Sequence, residues 1–150
     1  MEDEQSSQLR PTEGDAASNS KPSSRPCVLL VEDDRSVRRY LEVTLQRSGY
    51  DVMTASDGLE AMKLALSARI DAVVTDAIMP HLSGQQLAAF LRSNPKLSGI
   101  PIILLTGQEN KAASKPAGVS IDAFLFKPVK AEELTACLAG LLKPGHQDSN

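Results

Sequence analysis

Only two cysteines occur in the 150 residues, Cys27 and Cys137, and they form no CxxC pair, so a thiolate metal site is excluded and both read as small apolar fillers. The two histidines, His81 and His146, have no ligand partners at helical or turn spacing, which argues against imidazole ligation of a metal. No apolar run approaches the ~20 residues of a membrane-spanning helix, and "IPIILL" is among the longest. The acidic, polar N-terminus is not a signal peptide, so a cytoplasmic location is expected and membrane association is not. Lysines and arginines are scattered, and the net charge is −3 with a pI near 5.4. Direct nucleic-acid binding is therefore not expected, because a phosphate-backbone footprint needs a basic patch. No GxGxxG follows the first β-rich run and no GxxxxGK[ST] occurs, which removes the usual dinucleotide and P-loop readings.

What remains is a chain with 41% hydrophobic residues, enough for one domain with a core. Residues 1–26 are rich in Ser, Glu, Asp, Gln and Pro and cannot bury enough surface to offset chain entropy, so a disordered tail is expected there. Residues 27–142 alternate short β-rich runs with helical periods, and 143–150 read as a flexible C-terminal tail. The strands are expected at "CVLLV", "DVMTA", "IDAVVT", "IPIILLT" and "DAFLF". Between them, Val37, Tyr40, Leu41, Thr44 and Leu45 form one face of a first helix stopped by Gly49. "GLEAMKLALSA" and "GQQLAAFLRSN" supply two more helices, the latter closed by Pro95. A last helix, "AEELTACLAGLL", carries Leu134, Cys137, Leu138, Leu141 and Leu142 on its inner face. The alternation predicts an α/β fold with a doubly wound parallel sheet and helices on both faces.

In such sheets ligands bind outside the carboxyl ends of the strands. The first strand ends in Glu32, Asp33 and Asp34, the third in Asp76, the fourth in Thr106 and the fifth in Lys127 followed by Pro128. Two carboxylates about 4 Å apart repel by roughly 4 kcal/mol at an effective dielectric near 20, so this cluster requires a cation. An all-oxygen set that leaves room for waters favours Mg²⁺. A metal, an ammonium and a hydroxyl around one carboxylate make a receptor for a phosphoryl group.

The motifs "VLLVEDD", "DAVVTDAIMP", "PIILLTG" and "FLFKP" resemble the receiver domain of two-component response regulators, similar to the stand-alone chemotaxis type. Thr106 lies thirty residues after Asp76, and Lys127 twenty-one after Thr106, in keeping with that family. The resemblance implies a flavodoxin-like five-stranded sheet in the order 2-1-3-4-5 and a phosphorelay role. Asp76 would accept a phosphoryl group from a histidine kinase or histidine phosphotransfer protein, and the switched state would alter binding to a downstream protein. Asp33 would bind Mg²⁺ directly, Glu32 through water, and Ile78 through its backbone carbonyl. Thr106 and Lys127 would bind the phosphoryl oxygens, Gly107 would leave space beside them, and Phe124 would reorient on activation. The bond before Pro128 is usually cis in the family. Ile78 and Gln108 flank the approach of a hydrolytic water, and an apolar Ile78 cannot orient it. The family's fourth helix falls on 108–120, where Pro116 and scarce large apolar residues point to a short or loosely docked helix. No turnover of an external substrate is expected. A D-x-D phosphatase is disfavoured by the E-D-D of the first strand, and a phosphorylation-independent docking module would have lost an acid, the Thr or the Lys.

Overall fold

A computed structural model of the chain describes residues 25–107 and 119–142. All but Arg25 and Pro26 of the expected N-terminal tail, Gln108 with nearly all of the expected fourth helix, and the expected C-terminal tail lie outside the described residues. Within the described residues the elements are β1 (Cys27–Val31), α1 (Arg35–Arg47), β2 (Asp51–Ala55), α2 (Gly58–Ser67), β3 (Ala72–Asp76), α3 (Gly84–Ser93), β4 (Ile102–Thr106), β5 (Ala123–Phe126) and α4 (Ala131–Leu141). The sequence placed each of them to within two residues at either end.

The five strands pair in parallel in the order β2-β1-β3-β4-β5, the doubly wound order the resemblance implied. β3 and β4 are buried along their whole length and β1 nearly so, while β2 and β5, at the two edges, are half-buried. That is why the central runs of Val, Leu and Ile show no polar alternation: both faces of the sheet are covered. On one face Leu29, Val31, Val73 and Ile102 pack with Ala61 and Ala65 of α2 and Leu87, Ala88 and Leu91 of α3. On the other, Val28, Leu30, Val74, Ile103 and Leu105 pack with Leu41 and Leu45 of α1 and Leu134 and Leu138 of α4. Each fully buried leucine contributes about 1.5–3 kcal/mol of transfer free energy.

The inner face of α1 is narrower than the sequence predicts. Leu41 and Leu45 are buried and Val37 and Thr44 partly so, but Tyr40 is 51% exposed. The row Val37, Leu41, Leu45 meets the sheet at four-residue spacing, and Tyr40 falls to its side. On α4 likewise only Leu134 and Leu138 of the expected face are fully buried.

The helix ends have local causes. Asp34 caps α1 by accepting from Val37 N at 3.0 Å. The helix closes where Gly49 adopts a positive φ of 101°, with Tyr50 N donating to Leu45 O and Gly49 N to Gln46 O, each at 3.1 Å. Ser83 and Gln86 form a capping box at the start of α3. Asn94 is extended, as a residue before proline prefers, and α3 stops there. At the amino end of the sheet Arg92 uses its planar fork on four acceptors. Nε donates to Ser120 O at 2.9 Å, Nη1 to Ser98 O at 2.7 Å and Ile100 O at 2.8 Å, and Nη2 to Asp122 Oδ2 at 2.7 Å. The same Asp122 oxygen accepts Ile102 N at 2.8 Å, so α3, β4 and β5 are fastened through one side chain.

Candidate functional site

The register sets the acids side by side. Val31 pairs with Thr75, so the residues that follow, Glu32 and Asp76, emerge next to each other at the carboxyl edge. β4 delivers Thr106 beside them, and its partner in β5 is Phe126, so Lys127 comes next along that edge. Glu32 and Asp76 are buried and Asp33 is exposed. One carboxylate oxygen from each of the three lies within 4.8 Å of the others. Lys127 Nζ stands 3.0 Å from Asp76 Oδ1 and 3.3 Å from Glu32 Oε1.

One ammonium pairs with two of the three carboxyl groups. Glu32 Oε1 is buried and accepts no hydrogen bond, although the ammonium is close by. Burial pushes the Glu32 carboxyl up to about 7, and the charge of Asp76 adds to this, while the Asp34 main-chain N–H and Lys127 act against it. Burial also raises Asp76, with Asp33 adding to the rise, against the pull of Lys127 and of the Ile78 main-chain N–H. For Lys127 burial alone would lower the ammonium pKa, but the carboxylates of Asp76 and Glu32 outweigh it and hold the group charged. An all-oxygen cluster with excess negative charge and an orphaned buried carboxylate oxygen fits a hard divalent cation. Its residues would be Glu32, Asp33 and Asp76.

The surrounding backbone is tightly held. Glu32 N donates to Ala55 O at 3.1 Å, Arg38 Nη1 donates to Glu32 O at 2.8 Å, and Asp34 N donates to Glu32 Oε2 at 3.1 Å. Gly84 opens α3 directly against the end of β3: its N–H donates to Ala77 O at 2.9 Å, and a Cβ at this position would overlap the carbonyl oxygen of Asp76. Lys127 N donates to Thr106 O at 2.8 Å, and the Lys127–Pro128 bond is cis.

Of the residues singled out in the sequence, Glu32, Asp33, Asp76 and Lys127 thus converge. Thr106 is buried at the adjacent strand end, its hydroxyl donating to Gly107 O at 3.3 Å. Gly107 and Lys127 line a cleft of about 820 Å³ between α1 and the β5–α4 connection, together with Tyr40, Pro128 and Val129. Ile78 is exposed in the loop after Asp76, while half-buried Phe124 pairs with Leu104, below the rim. The sequence reading missed three supports. Asp34 is the α1 cap, a role that its place just before a helical period could have signalled. Arg38 and Gly84 act through contacts that local pattern does not reveal.

The raised carboxyl pKa values set a pH dependence. The folded protein holds the Glu32 proton up to about pH 7, whereas an unfolded glutamate releases it near 4.3. Between those values the native state binds more protons, so raising the pH lowers the stability of the metal-free protein, and Asp76 acts in the same direction. Urea melts from pH 5 to 8 in a chelator are expected to show this decline, and added Mg²⁺ to remove it by binding the ionised acids.

The match to known proteins agrees with this geometry. Residues 28–139 match the family model described as the response regulator receiver domain. Response regulator MprA of Mycobacterium sp. (strain KMS) is 40% identical over 119 residues, 77% of this chain and 50% of that protein. The chain thus spans about half the length of the curated relatives it matches. Among solved structures, the chemotaxis response regulator CheY4 of Vibrio cholerae superposes with a TM-score of 0.74 at 32% identity, covering 79% of this chain and 100% of that one. The receiver domain of sensor histidine kinase PA1611 from Pseudomonas aeruginosa, with a magnesium ion coordinated in its active-site cleft, gives a TM-score of 0.71 at 29% identity over 79% of this chain and 98% of that one. With the fold, the strand-end acids and the lysine all in place, this chain belongs to the response regulator receiver domains of two-component systems.

Proposed function

We propose that this chain is a phosphorylation-driven switch in which Asp76 accepts a phosphoryl group from a histidine kinase or histidine phosphotransfer protein. The observation that carries the reading is the Asp76 carboxylate held 3.0 Å from Lys127 Nζ within an acidic oxygen cluster. Transfer breaks the N–P bond of a phosphohistidine and forms an acyl P–O bond at the Asp76 carboxylate. Catalysis is chiefly positioning and charge, as in phosphoryl transfer generally. Lys127 pairs with the arriving phosphoryl oxygens. The Thr106 hydroxyl leaves its weak bond to Gly107 O and donates to a phosphoryl oxygen instead, beside the space that Gly107 leaves open. A charge-assisted hydrogen bond contributes about 1.5–3 kcal/mol, enough to move a two-state equilibrium by roughly ten- to a hundredfold. Glu32, Asp33, Asp76 and the Ile78 carbonyl would hold Mg²⁺, which supplies positive charge against the phosphoryl oxygens when bound. Phe124 reads the change by packing, and a downstream protein binds the altered face.

The chain promotes only its own phosphorylation and hydrolysis, with no external substrate turned over. We place it in the cytoplasm, in keeping with the absence, among the described residues, of any helix long and apolar enough to cross a membrane. Incubation with Mg²⁺ and acetyl phosphate, followed by intact-mass measurement, is expected to add one phosphoryl group to the parent and none to Asp76→Asn. An unmodified parent would leave only a docking role that is independent of phosphorylation.

Ile78 is 61% exposed in the loop that follows Asp76 and carries no polar atom to hold an attacking water. One hydrogen bond of about 1 kcal/mol is roughly fivefold in rate. Ile78→Asn is therefore expected to shorten the lifetime of phosphorylated Asp76 by about that factor, read from the decay of phosphoprotein after donor removal.

A further inference from the structure

We propose that the outer face of α2 is a self-association surface, on which two copies of this chain pair with their α2 helices antiparallel. Leu59 and Leu66 are 49% and 61% exposed. Their seven-residue spacing lines them up along the helix, with half-buried Met62 at the border and Lys63 between them. The inner face is already engaged, since Ala61 and Ala65 are buried in the core that α2 shares with β1, β2 and α3. A single exposed leucine is ordinary on a protein surface. Two in line, seven residues apart on a ten-residue helix, make an apolar seam of the kind that pairs helices.

The rest of this sequence offers little apolar surface to such a seam. Residues 1–24, 108–118 and 143–150 contain Met1 and Leu9 as their only large aliphatic or aromatic side chains. Ordering such a polar segment to bury one leucine costs more entropy than the contact returns.

A second copy fits by charge. Asp57 and Glu60 stand at the amino end of α2, and Lys63 and Arg69 towards its carboxyl end. Neither basic residue forms an ion pair among the described residues. A two-fold axis near Met62 sets Leu59 against the partner's Leu66, and brings the exposed Glu60 carboxylate, whose Oε1 also accepts from Ser56 N at 2.8 Å and Ser56 Oγ at 3.1 Å, within reach of the partner's Lys63, each contact occurring twice. A parallel pairing would oppose like charges. One short helix face buries less than the roughly 800 Å² per partner of a stable interface, so the dimer is weak and concentration-dependent.

Sedimentation equilibrium of the full chain from roughly 10 μM to 1 mM spans the affinities open to a contact below standard size. The average mass is expected to rise towards the dimer across this range. Leu66→Glu is expected to weaken association at least tenfold, and so are Glu60→Lys and Lys63→Glu separately. An equimolar mixture of the two charge variants restores it, because both cross-contacts become complementary. A parent monomeric throughout, a dimer indifferent to Leu66→Glu, or a mixture no better than its components would each overturn the proposal. Circular dichroism melts establish that every variant is folded, and Leu66→Gln replaces Leu66→Glu if the latter is not.

Discussion

Lys127→Met is expected to destabilise the metal-free protein by about 2–3 kcal/mol at pH 8, measured by urea unfolding. Breaking a fully buried ion pair typically costs 3–5 kcal/mol, and the smaller figure allows for the 32% of the Lys127 side chain that solvent reaches. The loss comes less from the missing attraction than from what stays behind. Glu32 and Asp76 remain buried, one oxygen of Glu32 already lacks a hydrogen bond, and no other cation forms an ion pair with their carboxylates among the described residues. At pH 5 the deficit should shrink, because Glu32, with its pKa pushed up to about 7, is then neutral. Loss of phosphorylation without this pH-dependent instability would mean that Lys127 acts on the phosphoryl group alone.

Gly84→Val is expected to cost about 3 kcal/mol or more, at the upper end of overpacking penalties. A Cβ there would overlap the Asp76 carbonyl oxygen and come within 2.8 Å of Leu104 Cδ1 and 3.1 Å of Ala77 Cα. Two of these neighbours are main chain of the strand end that carries Asp76, so relief requires moving Asp76 itself. The variant should therefore lose phosphorylation by acetyl phosphate even under conditions where it remains folded. Gly58→Ala serves as the contrast: its Cβ would also meet Leu82, in the connection to α3, but would not touch Asp76.

Much of this was legible in the sequence because the chemistry lies at strand ends. The uninterrupted apolar runs of β1, β3 and β4 gave away strands covered on both faces, and the first polar residue after each run marked the rim. Gly49 and Pro95 announced where α1 and α3 stop, and the structure bears both out. Tyr40 misled because apolar periodicity cannot tell the centre of a buried stripe from its flank. Arg92 and Gly84 were not legible at all. Their partners are contributed by other segments, up to thirty residues away for Arg92 and Asp122, and nothing local in "FLRSN" or "LSGQQ" encodes them. Arg38 reads from sequence as one of several arginines on α1, and only the fold shows it gripping the Glu32 carbonyl.

The guanidinium of Arg92 gives the far pole of the sheet a different character from the rim. There, four guanidinium N–H groups each meet an acceptor, whereas the acidic rim holds mutual repulsion that Lys127 only partly offsets and a buried Glu32 oxygen without a hydrogen bond. Tension is thus confined to the acidic end, and a cation or phosphoryl group bound there, as proposed above, would relax that end against a base already locked.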